Sequence, residues 1–383
     1  MRSIPNIPEV YRRFPPDYVN DIRGWAFDQR TIRENVGKLL TLDIDFGNIC
    51  TLNCPSCFRK NNNVDVGTSR QLGFDDLSRV ILDAKKLGLR SVKFLGAGDP
   101  FENHGFLDFL RFLKSEGIVP LIFTKGHVIG DDALVKKYFG YLGISRGEDL
   151  VDALFECDAS IMLGFNSFDD QLQAKLVGAP VDYVLARNRS LMMLSERGFA
   201  ASNPTRLALA VNPITKSNVA EAFDIYRWGR LRNFYAIVTP TMISGRARKT
   251  GTWNAINPSY EQLIDLYAKI YTFNIDSGLQ TLEQIRREGI SAYAGGHPCN
   301  QVSTGVYVTL GGTVLSCPGS EVAIEGDIWK NTLSEIWDAS SNRARAGKFN
   351  CGCIAKDGKS IPTSLYTDVM RLVEQHYTLE MAL

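Results

Sequence analysis

The fold is decided by the stretch Cys50-Thr51-Leu52-Asn53-Cys54-Pro55-Ser56-Cys57-Phe58, in which three cysteines have the spacing C-x3-C-x2-C. Residues 42–46, Leu-Asp-Ile-Asp-Phe, come just before it and alternate apolar and polar side chains, which predicts a β-strand. The cysteine loop is therefore expected at the carboxyl end of the first strand, the edge at which α/β barrels place their chemistry.

Strand and helix patterns alternate from residue 40 to residue 239. Helical periodicity separates the predicted strands, which cover residues 42–46, 91–95, 120–123, 160–165, 207–211 and 235–238. Six successive strand–helix units predict a parallel sheet with helices outside and right-handed crossovers. A closed barrel of this type needs more units, so we expect an α/β fold that is a partial (β/α)6 TIM-like barrel with a wide mouth.

The pattern changes after residue 250, and this change sets the expected domain boundaries. Residues 1–38 are predicted to be an irregular N-terminal extension, and residues 39–250 the barrel. Helical periodicity over 260–273 and 279–288 predicts a helical linker, residues 251–294. Residues 295–383 carry the remaining cysteine cluster and are expected to form a small C-terminal domain.

Composition excludes several function classes. The 383 residues are 44% hydrophobic, enough for a large core, and 43 basic against 42 acidic residues give a net charge of +1. A nucleic-acid partner is not expected, because such binders usually carry a marked basic excess. No apolar run is long enough for a membrane span, and the N-terminus lacks an apolar signal core. The prediction is a cytoplasmic protein.

The eight cysteines favour metal binding over disulfides. Disulfides concentrate in small secreted domains, whereas clustered cysteines in a cytosolic chain more often bind metal. A 4Fe–4S cluster usually takes four thiolates, so three from one loop leave an iron open to bind a substrate or cofactor. A zinc site and chance spacing are the alternatives for Cys50, Cys54 and Cys57.

With the aromatic Phe58 after it, the C-x3-C-x2-C loop resembles the signature of the radical S-adenosylmethionine (SAM) superfamily. The resemblance implies that the open iron of the cluster chelates SAM, and that an electron from the cluster cleaves SAM to methionine and a 5′-deoxyadenosyl radical, which takes a hydrogen atom from the substrate. In such enzymes the cofactor carries the difficult chemistry and the protein orients it.

Other strand ends match the family in the expected order. Where the family has Gly-Gly-Glu-Pro this chain has Gly96-Ala97-Gly98-Asp99-Pro100, a departure that leaves open which atom contacts the cofactor. The resemblance implies SAM contacts by Phe58 and by residues at the ends of the second, fourth, fifth and sixth strands: Gly96, Gly98, Asp99, Asn166, Ser167, Asn212 and Thr239.

A second cysteine cluster occupies the C-terminal region. Cys299, Gly312 and Cys317 follow the pattern C-x12-G-x4-C around a predicted hairpin, and Cys351 and Cys353 lie farther on. This arrangement resembles the auxiliary-cluster domain called SPASM, and its four cysteines favour the short form, Twitch. The resemblance implies a second 4Fe–4S cluster on Cys299, Cys317, Cys351 and Cys353. A structural zinc on the same four residues is the alternative.

The substrate is not named by the sequence. Arg246, after the sixth strand, is a candidate to pair with an anionic substrate group, and a solvated loop is equally consistent with it. We expect an oxidoreductase acting on a small biosynthetic metabolite, with a flavodoxin or ferredoxin as reductant. The first 38 residues are expected to be too short for the leader-binding segment of many peptide maturases, which makes a peptide substrate the second hypothesis. An iron–sulfur electron carrier or SAM sensor is an alternative of another class.

Overall fold

Six parallel strands lie side by side in chain order, as the alternating patterns predict. The computed structural model describes residues 1–60, 64, 70–96, 98–249, 253–350 and 352–380. In these ranges one sheet has the order β6-β5-β4-β3-β2-β1-β7-β8-β9. Its strands are β1 Thr41–Ile44, β2 Ser91–Phe94, β3 Val119–Thr124, β4 Ser160–Gly164, β5 Leu207–Ile214, β6 Tyr235–Pro240, β7 Gly305–Val308, β8 Thr313–Leu315 and β9 Ile324–Asp327.

Helices precede, separate and follow the strands along the chain. They are α1 Gln29–Glu34, α2 Phe74–Lys86, α3 Phe106–Ser115, α4 Asp132–Phe139, α5 Gly147–Glu156, α6 Asp170–Val177, α7 Tyr183–Glu196, α8 Val219–Arg230, α9 Gly245–Lys249, α10 Trp253–Ile256, α11 Tyr260–Ser277, α12 Leu282–Glu288, α13 Gln301–Thr304, α14 Leu333–Ala339 and α15 Leu365–Glu380. Short 3-10 turns cover Pro100–Glu102, Gly140–Leu142 and Arg343–Arg345. Within the described ranges, none of the helices is both long and apolar enough to cross a membrane.

Burial explains the strand sequences. Every residue of β1, β2, β4 and β6 is buried, as expected for strands covered on both faces. The helices bury one stripe each; in α2 this stripe is Leu77, Val80, Ile81 and Ala84. The predicted partial barrel therefore has a continuous core between the sheet and its helices.

The C-terminal region extends the barrel sheet. Strand β7 pairs in parallel with β1, with Thr41 opposite Gly305, and β8 and β9 follow in antiparallel register. The predicted hairpin is present as β7 and β8. Residues 325–327 belong to β9. Their Glu-Gly-Asp sequence has low strand propensity, and pairing with β8 overrides it.

Residues 22–25 lie near the amino ends of β3 and β5, whereas Ser3 N donates to Phe168 O in the segment after β4. Arg23 N donates to Thr205 O, just before β5, and a Cβ on Gly24 would meet Val119 at the start of β3. Trp25 is buried, with its ring 5.8 Å from that of Phe123. Residues 22–25 therefore lie at the end of the barrel opposite the cysteine loop, and α1 is the one helix among the first 38 residues.

Candidate functional site

The three cysteines of the loop after β1 line one cavity at the carboxyl ends of the parallel strands. Several of the predicted cofactor residues line the same cavity, namely Phe58, Gly96, Gly98, Asp99 and Asn212. Cys57 N donates to Cys54 O over 3.3 Å, which closes the loop into a turn, and Lys60 N donates to the Cys57 sulfur over 3.3 Å. The structure thus brings Cys50, Cys54 and Cys57 together with the ends of β2 and β5.

Glycine at position 98 is required by the close approach of two loops. A Cβ on Gly98 would lie 2.4 Å from Ile49 O, and Asp99 N donates to the same carbonyl over 2.9 Å. A Cβ on Gly96 would collide with the carboxylate of Asp45. The end of β2 therefore supports the cysteine loop by backbone contact, and a side chain at either glycine would push that loop away.

Both oxygens of the Asp99 carboxylate accept hydrogen bonds from other residues of the protein. Its Oδ2 accepts from Thr124 Oγ1 over 2.8 Å and from Lys125 N over 3.3 Å, and its Oδ1 accepts from Phe101 N over 3.1 Å. Burial raises its pKa, against the opposing effects of His127 and of these hydrogen bonds. Asp99 joins the ends of β2 and β3, and its predicted contact with SAM stays a prediction.

A buried carboxylate, Glu102, holds the start of the cysteine loop from below. It accepts from Thr51 N over 2.9 Å and lies 2.8 Å from His127 Nε2. Burial lowers the pKa of His127, but its hydrogen bond to Glu102 and the charges of Asp99 and Glu102 outweigh burial and raise that pKa overall. An acid–base pair thus lies directly behind the loop residue that follows Cys50.

The thiols themselves are in surroundings that disfavour free thiolates. Burial, together with the negative charges of Asp99 and Glu102, raises the pKa of Cys50 to about 12. Burial also raises the pKa of Cys54, although the Lys125 cation opposes this effect. A bound metal deprotonates a coordinating thiol outright, so these cysteines suit metal binding better than free nucleophilic chemistry.

A buried ion pair joins the cysteine loop to the C-terminal region. Arg59 Nη2 lies 3.4 Å from Asp45 Oδ2, and both side chains are almost completely buried. The guanidinium lies 4.6 Å from the ring centre of Tyr307 in β7, whose hydroxyl donates to Asp45. Since Arg59 comes two residues after Cys57, this network ties the end of the loop to β1 and β7.

Arg246, predicted to bind substrate, contacts the cysteine loop in this structure. Its backbone N donates to Cys57 O over 3.0 Å, and its Nη1 donates to Cys54 O over 2.9 Å and to Asn53 Oδ1 over 2.6 Å. These contacts describe a residue that holds the loop, and the substrate role stays a prediction.

Asn166 and Ser167 follow β4, and their side chains bind protein groups. Asn166 Nδ2 donates to Pro213 O over 3.2 Å, and Ser167 Oγ donates to Glu221. Their backbone N–H groups both donate to the side-chain oxygen of Gln173. Neither residue lines the cavity, so their predicted SAM contacts stay predictions.

Sequence reasoning missed the buried Arg187 on α7. Its guanidinium lies 3.7 Å from the ring centre of Phe165 and donates to Gln173, while Nε and Nη2 have no hydrogen-bond partner among the described residues. Burial lowers its pKa to about 10. A buried cation with spare donors suits an anionic group. The surrounding sequence does not distinguish it from an exposed helical arginine.

Three of the four C-terminal cysteines gather around one lysine. Burial raises the pKa of Cys317 well above its ordinary value, and the neighbouring Cys353 and Cys299 raise it further. Burial lowers the pKa of Lys356 to about 8, against the opposing effect of all three thiols. Cys351 lies outside the described residues.

The lysine also connects this second site to β6. Lys356 Nζ donates to Thr239 Oγ1 and lies 4.4 Å from the ring centre of Tyr293. Thr239, predicted to contact SAM, thus faces the C-terminal cysteines and does not line the first cavity. An apolar cluster of Phe58, Met242, Val302, Cys317, Ala355 and Cys353 fills the space between the two sites.

Comparison with known proteins identifies the fold. The chain aligns with SuiB of Streptococcus suis bound to the precursor peptide SuiA (TM-score 0.57, 14% identity, 88% of this chain and 78% of SuiB). It also aligns with anSMEcpe with bound AdoMet, which is SAM (TM-score 0.59, 13% identity, 90% of this chain and 94% of that one). Both neighbours are radical SAM enzymes of the SPASM/Twitch group. This chain has the radical SAM fold.

Sequence comparison gives a shorter match. The chain is 28% identical over 116 residues to the "Tungsten-containing aldehyde ferredoxin oxidoreductase cofactor-modifying protein" of Pyrococcus furiosus. This match covers 30% of the chain and only 31% of that relative. No protein-family model matches the sequence. The radical SAM fold therefore rests on structure and confirms the predicted partial barrel.

The cysteines at the first cavity suit an iron–sulfur cluster better than a single metal ion. Within the described ranges, no three His, Cys, Asp or Glu side chains are grouped to hold a single metal ion. In a 4Fe–4S cluster each thiolate binds a different iron, so its ligands stand farther apart than those of one ion. Cys50, Cys54 and Cys57 on one cavity, with the close approach at Gly98 behind them, fit such a group.

Proposed function

We propose that the chain is a radical SAM enzyme. The observation that carries the proposal is the convergence of Cys50, Cys54 and Cys57 on one cavity at the carboxyl end of β1, within the fold shared with anSMEcpe. When the cluster and SAM are bound, the chemistry supplied is reductive cleavage of SAM to methionine and a 5′-deoxyadenosyl radical that abstracts hydrogen. A flavodoxin or ferredoxin is the proposed electron source, in the cytoplasm.

The residues of the chain then have separate tasks. Cys50, Cys54 and Cys57 would hold a 4Fe–4S cluster, leaving one iron for SAM. Gly96 and Gly98 let the end of β2 approach the cysteine loop. The apolar lining of the cavity, including Leu52 and Met162, would exclude water from the reacting atoms.

The direct test is iron content together with SAM cleavage. Anaerobically reconstituted wild type should hold about eight irons per chain, and the triple variant of Cys50, Cys54 and Cys57 to Ala about four. Reduced wild type should release deoxyadenosine slowly without substrate, and Cys54→Ala should release none. Undiminished cleavage by Cys54→Ala would refute the proposal. Cys157→Ala is the matched control, because Cys157 is buried at the amino end of β4.

The C-terminal cysteines would hold an auxiliary 4Fe–4S cluster in a Twitch-like domain. Cys299, Cys317 and Cys353 lie close enough for each to affect the pKa of Lys356, and Cys351 is the proposed fourth ligand. Four thiolates fill such a cluster, which suits electron transfer and not substrate binding. Zinc at this site with about four irons per chain would reject the auxiliary cluster.

We further propose a net two-electron oxidation of a small biosynthetic metabolite. Cys299, Cys317, Cys351 and Cys353 would hold the auxiliary cluster, which would supply the acceptor for the one electron that the substrate gives up after losing a hydrogen atom to the SAM-derived radical and a proton to solvent. Cys317→Ala should still cleave SAM and abstract hydrogen but lose the oxidised product. A product of unchanged mass carrying one solvent deuterium would indicate epimerisation and contradict the oxidation.

A peptide substrate is the second candidate, and the comparisons favour it. SuiB was determined with the precursor peptide SuiA, and anSMEcpe with the Cp18Cys peptide. In the test, the reduced protein is given candidate peptides encoded by neighbouring genes, or metabolites made by the enzymes that those genes encode. Release of deoxyadenosine is the readout. Stimulation by a peptide alone would select this second candidate.

A further inference from the structure

Glu321 stands at a junction between the two cysteine sites. It follows Cys317 by four residues, in the loop between β8 and β9, and its side chain is 6% exposed. Its Oε1 accepts from Ser244 Oγ over 2.9 Å and from Gly245 N at the start of α9, and its Oε2 pairs with Arg248. One buried carboxylate thus binds Ser244, Gly245 and Arg248, three residues of the segment after β6.

That same segment holds the first cysteine loop. Arg246, the second residue of α9, binds Cys54 O and Asn53 with its guanidinium and Cys57 O with its backbone N. At Gly245 a Cβ would lie 2.5 Å from Phe58 O, so α9 touches the backbone that follows the loop. The position of α9 therefore sets the position of the loop.

The segment around Glu321 is in turn fixed by the second cysteine site. Gly319 N donates to the Cys317 sulfur over 3.4 Å, and Ser320 N donates to Cys317 O over 3.0 Å. A Cβ on Gly319 would lie 2.5 Å from both Ala355 Cβ and Met242 Sδ. These contacts leave the Cys317–Glu321 turn little freedom to move independently of the site.

We propose that Glu321 couples the C-terminal cysteine site to the geometry of the first cysteine loop, acting through α9 and Arg246. Glu321 is a positioning residue in this scheme, since it would act on the loop through its bonds to Ser244, Gly245 and Arg248. A buried, charge-assisted hydrogen bond is strong enough to carry such coupling. The inference rests on the proposed function, because it requires both sites to bind iron.

The first experiment compares Glu321→Gln with Glu325→Gln. Glu325 is a matched control, since it binds Ser341 N and Ser341 Oγ in the same region and no part of α9. Iron content and the KM for SAM in substrate-free cleavage are measured for each. Glu321→Gln should keep the iron of both cysteine sites. It should raise the KM for SAM about fivefold or more, because the charge-assisted bonds to α9 are weakened. Glu325→Gln should leave the KM for SAM unchanged.

The second experiment tests the route through Arg246. If Glu321 acts on the loop through that residue, Glu321→Gln should add nothing to the effect of Arg246→Gln in the double variant. If the fold increases in the KM for SAM of the two single variants multiply in the double variant, the inference is overturned. A KM for SAM within twofold of wild type in Glu321→Gln would overturn it as well. Loss of iron from the C-terminal site alone in Glu321→Gln would also overturn it. Wild type without iron at the first site would instead refute the proposed function.

Discussion

The imidazole of His127 lies 2.8 Å from the carboxylate of Glu102, and both side chains are buried behind the cysteine loop. Glu102 also accepts from Thr51, the residue after Cys50. The pair therefore connects the protonation of one side chain at the end of β3 with the support of the loop after β1.

This pair predicts a pH dependence of stability. The pKa of folded His127 lies above its ordinary value of 6.5, so its stabilising contribution is complete below pH 6.5 and is lost as pH rises through the folded pKa. The stability lost by His127→Gln, measured by urea unfolding, should shrink as pH rises above neutrality. A difference between wild type and His127→Gln that stays constant over this pH range would contradict the prediction.

Gly98→Ala should remove the first cluster without unfolding the chain. The added Cβ would lie 2.4 Å from Ile49 O, which is backbone and cannot rotate away. Iron analysis should show a loss of about four irons per chain, with the C-terminal site retained. Gly140→Ala is the control, because its φ is −58° and the nearest atom to its Cβ is 3.6 Å away. Full iron content in Gly98→Ala would show that the loop tolerates displacement.

Asp45→Asn should destabilise the folded chain strongly. The change leaves the Arg59 guanidinium buried without its charged partner, and losing one member of a buried pair costs about 3–5 kcal/mol. Asp265→Asn breaks the exposed pair with Lys269 and should cost less than about 1 kcal/mol. Urea unfolding measures both, and equal small costs for the two variants would mean that the Arg59 charge has other compensation.

Lys356→Met should make the auxiliary cluster harder to reduce. The Lys356 ammonium lies among Cys299, Cys317 and Cys353, and a nearby cation stabilises the extra electron of a reduced cluster. The reduction potential, measured by redox titration with electron paramagnetic resonance, should become more negative, while the first cluster keeps its potential. The exposed Lys359→Met should change neither. An unchanged potential in Lys356→Met would place the cation too far from the cluster to act.

Local patterns were sufficient for most of the barrel. Strands β1 to β6 were predicted to within a few residues, because each is a short apolar run between helices of clear periodicity. Residues 132–139, 147–156 and 365–380 form helices that were not predicted. Strand β9 was missed because its pairing with β8 is a tertiary contact.

The site was predicted unevenly for the same reason. The C-x3-C-x2-C spacing is local, so the cavity-lining cysteines were found from sequence. The roles of Arg187, Glu321 and Lys356 depend on burial and on partners far along the chain, which no local pattern records. Arg246 was singled out as a candidate to bind substrate, and its contacts with the loop emerge only in three dimensions.

The parallel pairing of β1 with β7 sets an order of events during synthesis. The Tyr307 hydroxyl that binds Asp45 lies 262 residues along the chain from it. At ribosomal rates, roughly ten to fifty seconds pass between the emergence of these two residues. Throughout that interval the strand beside the cysteines has one exposed edge, and the Arg59–Asp45 pair lacks its aromatic cover. The support of the cysteine loop by Asp45, Arg59 and Tyr307 is therefore complete only after β7 has been synthesised.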